Sequence, residues 1–523
     1  MKEILITSIL ALTFSGLHAQ TTGSELPKLV VMLTIDQLRS DYLENFAPLY
    51  GEKGFKRLLR EGRVYRHTEL PYTGADRASA IATLHTGTTP SLHGIVAENW
   101  LDTRTLRPIN CVDDEAFMGN YTDESSSASA LLTSTIADEL KISTRGKALV
   151  YSIAPFRDAA ILAGGHSANG AFWLNENTGK WCSSTYYAEF PWWMSQYNDR
   201  WSPDFRIKDL MWTPLFAPTR YVYLPEWRSD GFKYSFSAEK QNKYRRLTTS
   251  PLVNDEVNLL AEELLNKSTI GKDQTPDLLA LTYYAGNYNH RSVQECAMEM
   301  QDTYARLDQS LSRLLELLEQ KVGLKNVLLC LASTGYSDPE SPDTGLYRIP
   351  GGEFHLKRCA TLLNMYLMAT YGTGQYVEGY YDRQIYLNHK LIESKQLDLT
   401  EIQEKSAAFA VQFSGVNEVY SAHDLLLGPW SPRKELRRAS YHRQRSGDLV
   451  IEVLPGWTVI QEHTTDHRVV RASAVLPTPL ILLGAGFPAQ TIQTPVRADR
   501  LAPTLTGALH IRAPNACSAL PLD

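Results

Sequence analysis

The first residue able to do chemistry is Asp36, which closes the apolar run Leu29–Asp36 (LVVMLTID). An unbroken apolar run reads as a strand covered on both faces. Open α/β sheets carry their sites at the carboxyl ends of such strands, where a carboxylate can ligate a metal or pair with a cation. Other constellations lack their marks. The 13 histidines leave a Ser-His-Asp arrangement open on counting alone, but no Gly-x-Ser-x-Gly elbow occurs. No Gly-x-Gly-x-x-Gly follows the first strand, so a dinucleotide site is not indicated. No Cys-x-x-Cys pair supports a cysteine zinc centre.

The elements that must position Asp36 recur along the chain. Gly54–Arg60 reads as a helix ended by Gly62, and 278–284 as a second buried strand. A long helix follows, with Met300, Tyr304, Leu307, Leu311, Leu314 and Leu318 on one stripe that packs a core. Residues 326–334 and 478–484 read as further strands, and Arg497–His510 as a helix. This alternation predicts an α/β fold with a mostly parallel central sheet and helices on both faces. Residues 181–250 and 374–450 break the rhythm. The first holds Phe190-Pro-Trp-Trp-Met194, the second Tyr376, Tyr380, Tyr381 and Tyr386. Both are expected to be insertions capping the sheet edge of one α/β domain spanning 20–523.

Four ordered groups of residues carry a family likeness: Thr34–Tyr42 with Gly54–Leu58; Leu84–Ile95 with Asn99-Trp100; Gly165–Trp173 with Thr178–Lys180 and Thr185–Tyr187; and Arg500–Leu505 with Pro514-Asn515. Together they resemble the metal-dependent alkaline phosphatase superfamily, specifically its phosphate-irrepressible, PafA-like monoesterase branch. The broader group includes the type I phosphodiesterases and nucleotide pyrophosphatases. The resemblance implies two zinc ions held by Asp and His at strand ends. It also implies a Thr or Ser nucleophile at a helix N-terminus, where backbone N–H groups suit a phosphate.

Position by position, the resemblance implies that most of that site is gone. Asp36 matches the first metal ligand. The nucleophile position falls on Arg77, which stays protonated and cannot attack. The phosphate-holding Asn falls on Glu98, and the upstream Lys and Arg on Phe156 and Asp158. The Asp and the His four residues on fall on Tyr283 and Asn287, and the Asp-His of Asp-His-Gly on Thr334 and Gly335, followed by Tyr336. His467 is the candidate for the last ligand. Zinc takes around four N, O or S ligands at roughly 2.0–2.3 Å, so no cofactor is expected. The alternative is a metal-dependent phosphatase or phosphodiesterase with an altered site, using zinc at Asp36 and His467 and Thr73 or Ser79 as nucleophile. His85, His93 and His166 lie in matching segments and are expected to be structural hydrogen-bonders. Arg77 is expected to pair with the Asp36 carboxylate, its guanidinium nitrogens within the ~4 Å ion-pair limit, and so to supply the charge of the lost metal; a guanidinium can bind a carboxylate through two parallel hydrogen bonds.

Composition narrows the class further. The formal net charge is -6 and no long basic block occurs, which argues against a nucleic-acid surface. Ile4–Leu12 followed by Leu17-His-Ala19 reads as a signal peptide, residues 1–19, cleaved after Ala19. No later segment is apolar enough to span a bilayer. Six cysteines in an exported chain permit disulfides, though Cys330, inside the run 327–331, reads as a buried thiol. The expected protein is periplasmic or at the cell surface, catalytically inactive, and acts by binding a protein partner in the envelope through its aromatic insertions.

Overall fold

A computed structural model describes residues 26–222, 224, 231–238, 242–292, 294–337, 351–460, 467–469, 476–484 and 486–523, with backbone alone for 467–469. The signal peptide 1–19 lies outside the described residues.

Among the described residues, eleven strands form one sheet. Those that matter here are β1 (Leu29–Asp36), β2 (Arg63–Glu69), β3 (Val150–Ala154), β4 (Gly170–Leu174), β5 (Trp181–Ser184), β6 (Asp277–Tyr284), β7 (Val327–Ser333) and β8 (Thr478–Leu483). Their order is β2-β8-β7-β1-β6-β3-β4-β5, with Gln490–Ile492 beyond β2 and Gly119–Asn120 beyond β5. The strands β7, β1, β6, β3 and β4 are parallel. Every residue of β1, β6 and β7 is buried, which explains their unbroken apolar runs. The fold is thus α/β with a mostly parallel central sheet.

Helices α1 (Arg77–Thr86), α2 (Arg157–Gly164), α3 (Leu252–Lys267), α4 (Ala297–Lys321) and α5 (Leu501–Ala508) surround the sheet. The predicted stripe of α4 is buried from Met300 to Leu318. The predicted helix 497–510 is shorter: a 3-10 turn at Ala498–Arg500 precedes α5. All four predicted strands share the sheet, but β8 runs antiparallel to β7 and β2. The cause is where the chain returns. Ser40 N–H donates to Pro477 O at 3.1 Å, so β8 starts at the carboxyl end of β1.

A second core stands apart from the main one and runs from Phe354 to Val459. Its four-stranded antiparallel sheet (Val377–Tyr381, Gln384–Leu387, Leu449–Val453, Val416–Ser421) packs with helices Leu356–Tyr371 and Leu399–Ala410. The segment 374–450 is therefore the middle of a module that reaches further in both directions. The segment 181–250 starts inside the central sheet with β5, and Trp193, Trp212 and Phe236 join the main core. Trp192 and Trp201 remain exposed. All six cysteines are free thiols, Cys330 among the buried ones.

Candidate active site at the carboxyl ends of the central strands

Register brings the site together. Asp36 pairs with Tyr284 across β1 and β6, and Ile35 with Ser333 across β1 and β7. The next residue after β7 is Thr334, so Asp36, Tyr284 and Thr334 share one end of the sheet. Thr334 Oγ1 donates to Asp36 Oδ1 at 2.9 Å and accepts from Gln37 N at 2.9 Å. Tyr336 Oη donates to Asp36 Oδ2 at 3.3 Å. The Asp36 carboxylate is fully buried.

Arg77 opens α1. Its N-cap is Asp76, whose carboxylate accepts from Ser79 N at 2.9 Å and from Ser79 Oγ at 2.8 Å, while Asp76 N donates back to Ser79 Oγ at 3.1 Å. That reciprocal box fixes the helix start. It also occupies the Ser79 hydroxyl, one of the two candidate nucleophiles. Asp76 accepts from Glu98 N as well, which ties the Glu98 loop to the same helix end. Burial pushes the Asp76 carboxyl up. The other candidate, Thr73, lies in the preceding loop with its backbone N–H on Leu436 O at 3.3 Å.

The Arg77 guanidinium points across the site. Its Nε donates to both Asp158 oxygens at 3.1 and 3.0 Å, and its Nη2 to Oδ1 at 3.0 Å. Nη2 is also 3.3 Å from Glu98 Oε1, and Nη1 is 3.9 Å from Asp36 Oδ2. The Phe156 ring lies 3.9 Å from the guanidinium carbon, with Tyr284 behind it at 6.0 Å. Burial favours the neutral arginine, but Asp158, Glu98, Tyr336 and Asp36 outweigh it and hold Arg77 charged.

The expected pairing of Arg77 with Asp36 is met at 3.9 Å but is not the main contact of Arg77, and one expectation needs correction here. Arg77 lies within ion-pair reach of Asp36, yet its two-point contact goes to Asp158. Asp36 instead accepts hydroxyl hydrogen bonds from Thr334 and Tyr336. Tyr283 is not at the site: its hydroxyl donates to Asn258 Oδ1 of α3, on the other face of the sheet. Successive strand residues face opposite ways, so Tyr284 takes the site-facing place. A tyrosine directly opposite Asp36 was the available signal.

The remaining positions are placed as follows. Asn287 Nδ2 donates to Arg291 O at 2.7 Å, and its carbonyl accepts from Tyr284 Oη at 2.7 Å. Asn287 lines a small recess with Gln37, Arg39, Tyr42 and Gly286. Gly335 has φ +74° and contributes backbone only, donating to Ser333 Oγ at 3.2 Å. His467 lies in the strand His467–Val469, and its side chain is outside the described residues. His93 and His166 are hydrogen-bonded. His85 is not: both ring nitrogens are buried without a partner among the described residues, and burial pushes its pKa down to about 4. Among the described residues, no group of three or more His, Cys, Asp or Glu is arranged to hold a metal ion.

The profile of the type I phosphodiesterase / nucleotide pyrophosphatase family matches residues 30–475. Alkaline phosphatase PhoV of Synechococcus elongatus is 28% identical over 510 residues, 94% of this chain and 91% of that protein. Alkaline phosphatase PafA of Elizabethkingia meningoseptica is 27% identical over 536 residues, 98% of this chain and 97% of that one. The crystal structure of wild-type PafA superposes with a TM-score of 0.83 at 25% identity, covering 95% of this chain and 98% of that chain.

Proposed function

Since the chain belongs to the type I phosphodiesterase / nucleotide pyrophosphatase family, within the alkaline phosphatase superfamily, we propose that it keeps the phosphatase fold without the phosphatase chemistry. In this reading it is an exported protein that acts by binding in the cell envelope. The observation that carries it is Arg77, which stands where the family resemblance puts the nucleophile and is engaged by Asp158, Glu98 and Asp36. A guanidinium remains protonated and donates only, so it offers no lone pair for attack on phosphorus. Three carboxylates around it also oppose a phosphate dianion.

The residues around Asp36 do not fit zinc. Its two oxygens accept from the Thr334 and Tyr336 hydroxyls, and neutral hydroxyls are poor substitutes for the Asp and His ligands that zinc uses. Gly335 has no side chain to offer, and the nearest cation is a guanidinium rather than a vacancy between ligands. Export rests on the signal-peptide reading. No helix of the described residues is long and apolar enough to cross a membrane.

The test is elemental analysis of the purified protein beside nitrophenyl phosphate and bis-nitrophenyl phosphate assays with and without EDTA. The expected result is substoichiometric zinc and no turnover. Two zinc ions per chain with EDTA-sensitive turnover would overturn the reading in favour of an altered hydrolase using Asp36 and His467.

A further inference from the structure

An arginine with no acidic partner among the described residues lies where the Phe354–Val459 module meets the main body, beside a neutral histidine. After helix Pro432–Ser440 the chain makes a tight turn: Arg445 N and Ser446 N donate to His442 O at 3.0 and 2.9 Å, and His442 N donates to Ser446 Oγ at 3.1 Å. His442 Nδ1 accepts from Gln444 N at 3.3 Å, which leaves the ring proton on Nε2. Arg445 reaches across the seam. Its Nη1 donates to Gly94 O, and its guanidinium carbon lies 4.9 Å from the Trp100 ring centre.

The side chain is half-buried, yet among the described residues no carboxylate is in ion-pair reach of it. Several other half-buried and buried guanidiniums have one: Arg77 has Asp158, Arg206 has Glu256, Arg306 has Asp302 and Arg437 has Glu452. Around Arg445 the other groups are basic or neutral. His93 is buried and already bonded to Thr83 Oγ1 at 3.0 Å. Burial holds the Cys111 thiol protonated. Burial pulls Arg445 down to about 10, and burial followed by Arg445 itself pulls His442 down. A half-buried cation without a counter-charge is costly, and the His442 ring that shares its turn is neutral and adds none.

We propose that Arg445 and His442 form a binding site for a tetrahedral oxyanion, the phosphate or sulfate group of a small solute, at the seam between the module and the main body. The donors left for it are Nε and Nη2 of Arg445 and Nε2 of His442, three residues apart on one turn. A forked guanidinium donating two parallel hydrogen bonds is the usual partner of such oxygens. The bound anion neutralises Arg445 and bridges the two cores, because Arg445 belongs to the module and its contacts Gly94 and Trp100 to the body. Its donors are distinct from the residues around Asp36, whose carboxylates repel the same ligand.

The test is titration calorimetry of the full mature protein with inorganic phosphate, sulfate and glycerol 3-phosphate, at ionic strength held constant with chloride. Saturable binding of one anion per chain is expected. His442→Gln should weaken it several-fold, and Arg445→Gln by about tenfold or more, the loss of roughly one charge-assisted hydrogen bond. His442→Gln is decisive, since that turn is partly exposed and the fold does not hang on the ring; an unchanged circular dichroism spectrum checks this. Tighter binding of glycerol 3-phosphate supports an organic phosphate as the occupant, and tighter inorganic phosphate a free anion. No saturable heat at millimolar anion, or affinity unchanged in both variants, overturns the proposal.

Discussion

Arg77 and Asp158 meet in a two-point contact, Nε at 3.0 Å from one carboxylate oxygen and Nη2 at 3.0 Å from the other. Their side chains are only 12% and 4% exposed, so water screens the pair weakly. In the family likeness these are the positions of a nucleophile and a phosphate-binding arginine.

That contact makes the first prediction. Removing one partner of a buried ion pair costs about 3–5 kcal/mol, whereas an apolar replacement of both is far milder. Asp158→Ala and Arg77→Met should each lower the urea unfolding midpoint. The double variant Arg77→Met/Asp158→Leu should lose about 1–3 kcal/mol less than the sum, a coupling typical of contacting charges. Strictly additive losses would show that the two residues do not depend on each other.

Much of the frame is legible in the sequence because burial on both faces leaves continuous apolar runs. The bounds of β1 follow from LVVMLTID alone, and α4 follows from its stripe. The direction of β8 is not legible, since TPLILL reads the same whichever way the strand runs. The site is legible only in part. Asp36, Arg77, Glu98, Phe156, Asp158 and Thr334 do come together. Tyr283 does not, because a register error of one residue turns a strand side chain to the opposite face. Nor can spacing choose between Asp36 and Asp158 as the main partner of Arg77. That choice depends on α1 packing beside α2, a tertiary fact. His85 shows the same limit: a polar side chain in an apolar site looks like a hydrogen-bonder until its neighbours are known.

One buried carboxylate gathers several contacts between the aromatic segment after β5 and the body. Asp302 of α4 accepts from Trp212 Nε1, Leu215 N and Tyr221 Oη, each at 2.6 Å, and from Arg306 Nε at 2.7 Å. Four donors would lose their acceptor in Asp302→Ala. Each unsatisfied buried donor costs about 1–3 kcal/mol, so a loss of at least about 3 kcal/mol is expected. Limited proteolysis should then cut first within 211–238. A variant as stable and as protease-resistant as the parent would refute the anchoring role.

The last prediction concerns pH. His166 Nδ1 lies 2.9 Å from Asp138 Oδ2, and Nε2 lies 2.9 Å from Leu131 O. Both neighbours accept, so the arrangement favours a ring protonated on both nitrogens. Burial alone would lower the His166 pKa, but the hydrogen bond and charge of Asp138 outweigh it and raise it. Burial likewise favours the protonated Asp138, and His166 with the Thr135 hydrogen bonds brings its pKa below the usual value. A histidine with a raised folded-state pKa adds stability that is complete below its unfolded value and is lost as pH rises through the folded one. An aspartate with a lowered pKa adds stability above its unfolded value and loses it as pH falls through the folded one. The pair therefore stabilises most at mildly acidic pH and fades toward alkaline pH. The expected difference across that range is about 1–2 kcal/mol, at the low end for charge-assisted hydrogen bonds because the ring is partly exposed. In His166→Gln the stability–pH curve should flatten on the alkaline side. Parallel curves for parent and variant in chemical denaturation would show that His166 is uncharged in the folded protein.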